Sequence, residues 1–263
     1  MLPSFLGIVA QGGGAPPPPL GVLISGQTLD VTYLTTTPAE TFNFGGNSTY
    51  LTNGEFVTVF SYANDSTTAF GLDLTGLTAL TTATVYANAA MTSAPDFTGL
   101  TALTTADVYA NAAMTTPPDF TDCTALANAG VYDNPAMTTA PDFTGLTALT
   151  TALVSGNASM TSAPDFTGCT ALITANVYDN ASMTSAPDFT GCTALATADV
   201  SSCAISDINL LAMCVQIYDD APANGTLAME GGTNGSFDGQ SLPSEITDLQ
   251  ANGWTVTFND NNP

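Results

Sequence analysis

From residue 73 onward, apolar and polar positions fall into columns that return every 23 residues without insertion. The unit begins at Asp73, Asp96, Asp119, Asp142, Asp165 and Asp188; its first copy reads DLTGLTALTTATVYANAAMTSAP and its second DFTGLTALTTADVYANAAMTTPP. In each copy a Leu (Leu80, Leu103, Leu126, Leu149, Leu172, Leu195) is followed by an Ala (Ala83, Ala106, Ala129, Ala152, Ala175, Ala198), and two residues later by a Val (Val85, Val108, Val131, Val154, Val177, Val200). Ala and Val two apart follow the alternation of a strand, so every copy predicts one short strand with both residues turned inward. Three residues past the Val come Asn88, Asn111, Asn134, Asn157 and Asn180, a structural column whose amides suit the backbone of the turn that follows. Met91, Met114, Met137, Met160 and Met183, then Phe97, Phe120, Phe143, Phe166 and Phe189, complete the inward set. Pro before the Asp stops the preceding segment, and Asp or Thr is suited to capping a short helical turn. A fixed period in this range is the mark of a solenoid, with coils stacked about 4.8 Å apart as parallel strands are.

The pattern LxxAxVxxNxxM resembles the LxxLxLxxNxL of the leucine-rich-repeat family, with Ala in place of the middle Leu, over residues 73 to 205. The resemblance implies a repeat solenoid: a right-handed, leucine-rich-repeat-like coil of thin turns with a parallel β-sheet on the concave face, closed by an N-terminal β cap and an α/β C-terminal cap. Cys203 stands where the Asn column would continue, an exchange that family tolerates. Beyond the repeats, residues 206–263 read as two longer capping coils. SDINLLAMCVQIYD predicts an amphipathic helix that Ser206 or Asp207 caps, and TLAME a strand with Leu227 and Met229 inward. PSEITDLQANG predicts a second helix with Ile246 and Leu249 on one face and Asn252-Gly253 as its stop, before a last strand with Trp254, Val256 and Phe258. The combination GGTNG…LxxxGWTVT resembles, more loosely, the tails of repeat proteins in bacterial and phage genomes. Upstream, TLDVTYL, ETFNF and EFVTVFSY within residues 26–72 read as strands between Pro, Gly and Asn, forming a β cap on the first coil or a separate small β module.

The outward residues of the first strand are Thr82, Thr84 and Tyr86. Tyr86, Tyr109, Tyr132 and Tyr178 share one column, interrupted by Ser155 and Ser201. Aromatic rings on a rigid exposed sheet are typical of binding faces, and with Asp107, Asp179 and the Thr they suit a sugar or a protein strand. The same rings equally serve to pack across adjacent strands, and both readings stand at this point.

Residues 1–25 form an apolar and Gly/Pro-rich arm. Gly12 to Gly14 are flexible and Pro16 to Pro19 stiff, while Leu2, Phe5, Leu6, Ile8 and Val9 are too apolar for a solvated tail. They are expected to anchor the chain in a partner subunit; a frayed terminus is the alternative. The opening MLPSFLGIVAQGGG lacks a basic n-region and an A-x-A site, so it is not expected to be a signal peptide. No apolar window is long and uninterrupted enough to predict a membrane-spanning helix.

Charge changes the picture most. The 263 residues include no Lys, Arg or His and 23 Asp plus Glu, a formal charge of -23. At 9% charged residues the acids are not in excess; the cations are missing. Nucleic acid as a partner is excluded, since phosphate recognition needs Lys or Arg. Triads built on His, Schiff-base lysines and His-ligated metals are excluded with it, and no catalytic residue or cofactor is expected. The Asp at the head of each unit supplies one carboxylate per coil, poor coordination for Ca²⁺, so turn capping is its expected role and no metal site is expected. Cys123, Cys169 and Cys192 occupy the column of Leu77, Leu100 and Leu146 and read as small buried hydrophobes. Cys169 and Cys192 lie on adjacent coils, but Cys203 with Cys214 is the better disulfide candidate. N-x-[ST] sequences at Asn47, Asn157 and Asn180 matter only in a eukaryotic secretory setting, which the composition disfavours.

A chain without Lys or Arg offers trypsin-like proteases no cleavage point and is repelled by anionic surfaces. The expectation is a non-enzymatic structural protein of a bacteriophage virion, a capsid decoration or tail appendage. It would sit on the virion surface, attach through its arm to other capsid or tail proteins, and be present in many copies or as a homo-oligomer. The alternative is a bacterial surface or secreted adhesin that binds a host-surface glycan or protein on its concave Tyr/Thr face.

Overall fold

A computed structural model describes residues 29–30, 41–44, 47–50, 59–63, 72–74, 78–237 and 242–259. The 1–25 arm, with Leu2, Phe5, Leu6, Ile8 and Val9, lies outside the described residues. Ahead of the repeats run β1 (Leu29–Asp30), β2 (Thr41–Phe44), β3 (Asn47–Tyr50), β4 (Val59–Ala63) and β5 (Leu72–Asp73). The repeats supply β6 (Thr82–Tyr86), β7 (Thr105–Tyr109), β8 (Asn128–Tyr132), β9 (Thr151–Leu153), β10 (Thr174–Asn176) and β11 (Thr197–Asp199). They are followed by α1 (Asp207–Asp220), β12 (Thr226–Ala228), α2 (Ser244–Ala251) and β13 (Thr255–Thr257).

The protein is a parallel β-solenoid. Nine strands form one sheet in the order β13-β12-β11-β10-β9-β8-β7-β6-β4, and every pair along it is parallel. Register follows the repeat: Ala83 pairs with Ala106, Ala106 with Ala129, and Ala152 with Ala175. β4 joins the sheet in the same sense, with Val59 opposite Thr82. β2 and β3 pair antiparallel, and β1 pairs parallel with β5.

Ala and Val face inward in every coil, as the alternation predicts, and with the Leu, Met and Phe columns they form one continuous buried core. Identical side chains stack on one another down the solenoid. The rings of Phe97, Phe120, Phe143, Phe166 and Phe189 make an unbroken column, with centroids 5.3–5.6 Å apart. Burial of a side chain of this size contributes roughly 1.5–3 kcal/mol, and each coil obtains it only from its neighbours.

Two expectations about the helical segments are corrected. The segment after each Asp is not helical but two successive β-turns, with Leu100 N–H bonded to Phe97 O and Leu103 N–H to Leu100 O; Gly99 inside the first turn stands at φ 75°, which no right-handed helical turn contains. The Asp does cap the turn as expected, its Oδ1 accepting from the N–H two residues on, as Asp96 does from Thr98 at 2.9 Å and Asp142 from Thr144 at 2.8 Å. Ser206, by contrast, does not cap α1 through its side chain; its carbonyl accepts from Asn209 and Leu210, while Asp207 is packed against Gly235.

The C-terminal coils close the stack as the sequence predicts. Leu210, Met213, Cys214 and Ile217 of α1 and Ile246 and Leu249 of α2 are buried on the core, with Leu227 and Met229. Trp254 lies flat over Gly225, where a Cβ would collide with its ring, and its Nε1–H bonds to Pro222 O at 3.0 Å.

Candidate binding face

The side of the sheet turned away from the core carries three rows. One runs Thr82, Thr105, Asn128, Thr151, Thr174 and Thr197, continued by Thr226 and Thr255 in the cap. The middle row is Thr84, Asp107, Gly130 and Leu153, then Asn176 and Asp199. The third begins with Tyr86, Tyr109 and Tyr132. Their rings stack nearly parallel, with centroids 5.0 Å apart for Tyr86 and Tyr109 and 4.7 Å for Tyr109 and Tyr132. The cross-strand packing reading therefore holds for these three rings, whose faces cover one another and leave edges and hydroxyls to the outside.

Asp107 reaches over Gly130: a Cβ on Gly130 would collide with Asp107 Oδ1 and crowd the Tyr132 ring. Burial there raises the Asp107 carboxyl above its ordinary value. It also raises the phenols of Tyr109 and Tyr132, to which the charge of Asp107 adds, so both remain protonated donors at neutral pH.

The other predicted residues are not gathered at this cluster. Ser155 takes the fourth place in the tyrosine row, which puts Tyr178 one coil further on. Asp179 is exposed on the turn after Tyr178 and three coils away from Asp107. It belongs to a column of left-handed residues, Ala87, Ala110, Asp133, Gly156, Asp179 and Ser202, at φ between 54° and 65°. Sequence reasoning passed over Gly130, Leu153 and Asp133; each is a break in its column, which was the available signal.

The Asn column forms a continuous ladder behind the strands. Asn88, Asn111 and Asn134 each donate a backbone N–H to the side-chain Oδ1 of the Asn one coil on, at 3.0 Å. From Asn111 onward each amide also donates backward to a Val carbonyl, Asn111 to Val85 at 3.0 Å, Asn134 to Val108 at 2.9 Å, and Asn157 to Val131 and Asn180 to Val154 at 2.8 Å. Asn157 and Asn180 are fully buried, which closes both N-x-S sequences to modification in the folded chain. Asn234, which the sequence did not single out, extends the ladder into the cap by accepting from Ile205 N–H and donating to Val200 O.

Cys203 and Cys214 are both free and buried. Their thiols are turned to different partners, Cys203 to Val177 O at 3.4 Å and Cys214 to Met229 Sδ at 4.0 Å. Cys203 thus reproduces the backward bond that Asn makes elsewhere. Burial is the first cause that pushes Cys203 up to about 11 and Cys214 up to about 12, so neither is a reactive thiolate. Among the described residues no group of three or more Cys, Asp or Glu is placed to hold a metal ion, and no helix is long and apolar enough to cross a membrane.

No family model, curated protein or solved structure matches the chain.

Proposed function

We propose that the chain is a non-enzymatic, externally exposed display and binding protein of leucine-rich-repeat type, which presents its Tyr/Thr sheet face to a partner. The observation that carries this reading is the outward row of Tyr86, Tyr109 and Tyr132 on a rigid sheet whose opposite side is wholly committed to the core. A hydrophobic core needs no tyrosine ladder outside it, and rigid aromatic rings are favoured contact groups because little side-chain entropy is lost when they bind. Kinship with leucine-rich repeats is supported by the 23-residue consensus and by the Asn ladder.

The setting we favour is the surface of a bacteriophage particle, with the arm carrying Leu2, Phe5, Leu6, Ile8 and Val9 as the attachment. A chain with no cation is repelled by nucleic acid and by anionic cell surfaces, which suits a particle that meets its target at one chosen place. The test is sedimentation of the full-length chain, and of a chain lacking residues 1–25, with particles from the source at physiological and high salt. Salt-resistant binding that is lost with the arm is the expected result. Binding by neither chain overturns the virion setting and leaves a cell-surface adhesin using the same face, the reading that the tyrosine row itself favours.

A further inference from the structure

We propose that Asp107, with the stacked rings of Tyr109 and Tyr132, is a recognition site for an arginine side chain on a basic segment of a partner protein. This deepens the reading above and rests on it, since it takes the sheet face as the working surface. The middle row of that face holds two aspartates in different circumstances. Asp199 ends β11, so the chain turns after it and Ser201 N–H bonds to its Oδ1 at 2.9 Å. Asp107 sits in the middle of β7, and Tyr109, two residues on, still belongs to the strand. No hydrogen bond among the described residues reaches the Asp107 carboxylate, whose oxygens are left to solvent.

That carboxylate is nevertheless half-buried. Its Oδ1 lies where a Cβ on Gly130 would stand, and the same Cβ would crowd the Tyr132 ring; the water lost there raises the carboxyl above its ordinary value. The other carboxylate that bears on Tyr132 is Asp133, which is exposed. A carboxylate that gives up water ordinarily gains donors or a cation in exchange. Here the strand supplies no donor, and a chain without Lys, Arg or His has no cation to supply. The positive group that completes the site therefore belongs to the partner.

The surroundings select among positive groups. Among the described residues no group of three or more acids is placed to hold a metal ion, which points to an organic cation. The faces of Tyr86, Tyr109 and Tyr132 cover one another at 4.7–5.0 Å, so hydroxyls and ring edges are what the row offers outward. That suits a fork of donors better than a flat body laid on a ring. A guanidinium is planar, carries five N–H donors in fixed directions and pairs two-pronged with a carboxylate, while the phenols, protonated at neutral pH, accept its remaining donors. A neutral sugar would donate to Asp107 but leave its charge unmet. The charge of the whole chain, -23, draws a basic segment to this face and repels acidic ones.

The test is tyrosine-ring NMR and titration calorimetry on the full chain at physiological salt with the peptide acetyl-GRGRG-amide. Its counterpart with citrulline in place of arginine keeps the shape and loses the charge, and methyl α-D-mannopyranoside stands for a neutral glycan. The arginine peptide is expected to shift the rings of Tyr109 and Tyr132, and the citrulline peptide to bind at least about tenfold more weakly. Asp107→Asn should weaken binding about tenfold, whereas Asp219→Asn, which removes the same charge from the exposed side of α1, should change it by less than about twofold. Tyr132→Phe keeps the ring and removes one acceptor; it should weaken binding about threefold and serves if Asp107→Asn does not fold. The proposal is overturned if the arginine peptide leaves the rings unmoved, if the citrulline peptide binds as well, or if only the mannoside binds. It is overturned too if both Asn variants lose affinity equally, which marks diffuse attraction to net charge. Attachment of the wild-type chain to source particles or cells, with the tyrosine row covered in the attached state, keeps the wider reading alive when the arginine site fails; attachment that leaves the row uncovered sinks that reading instead.

Discussion

Asn134 connects three coils at once. Its Oδ1 accepts from Asn111 N–H, its amide donates to Val108 O, and its own N–H goes forward to Asn157 Oδ1. Replacing it with Ala orphans a buried donor and a buried acceptor one coil back, at about 1–3 kcal/mol each. Asn134→Ala is therefore expected to lose about 3 kcal/mol in urea denaturation, whereas Thr147→Ala on the exposed turn should stay within about 0.5 kcal/mol. The column itself was legible in the sequence because six copies can be compared inside one chain. Its bonds were not, because the amide's partner is a Val carbonyl 26 residues away, which only the stacking brings near. Asp107 gives the second expectation at this scale. Its carboxyl is raised by burial, so the folded chain holds that proton to higher pH than the unfolded chain does. The stability this represents is complete below the unfolded carboxyl range and is lost as pH rises through the folded value. Asp107→Asn should thus stabilise the protein at neutral pH and leave it nearly unchanged in acid, as thermal melts at both pH values would register.

At the scale of the element, a solenoid must end, and α1 shows how this one does. Inside the stack, Phe166 N–H bonds to Asp188 O and Gly168 N–H to Thr190 O of the next coil. The last repeat has no such neighbour, and helix side chains take over: Gln216 Oε1 accepts from Phe189 N–H at 3.2 Å and Asp220 Oδ2 from Gly191 N–H at 2.8 Å. On the same edge, Asn209 Nδ2 donates to Thr184 O at 3.0 Å. Asp220→Ala is expected to cost about 1–3 kcal/mol and to raise amide exchange at Gly191 first, spreading to its neighbours in the last repeat. The amphipathic pattern predicted α1 and its buried face well, since apolar spacing reports which side meets the core. It gave no sign that the polar residues Asn209, Gln216 and Asp220 would finish the ladder, because that depends on where the helix lies across the coil. The segment after each Asp was misread as helical because Asp122 holds the place of Gly99 and Gly145, and only the backbone shows all three in the left-handed region that makes it a β-turn.

Over the whole molecule, 23 acids and no bases leave repulsion with nothing to offset it. The core does the holding, and screening should help it. Melting temperature is expected to rise from 0.01 M to 0.5 M NaCl, over which the Debye length shrinks from about 30 Å to less than 8 Å, and to rise equally with KCl. A fall with salt would mean that the acids are paired in ways the sequence does not allow. The fold class was legible because the period is uninterrupted; the working surface was only half legible, since a row of Tyr reads alike as packing or as contact until ring distances separate the stacked three from Tyr178. The central claim is that the protein meets its partner through that face. Hydroxyl-radical footprinting of the full-length chain, free and attached to source particles or cells, tests it directly, with Tyr218 on the outer side of α1, 46% exposed, as internal reference. The account predicts protection of Tyr132 and Tyr178 with Tyr218 unchanged; protection of Tyr218 while the row stays reactive would contradict it.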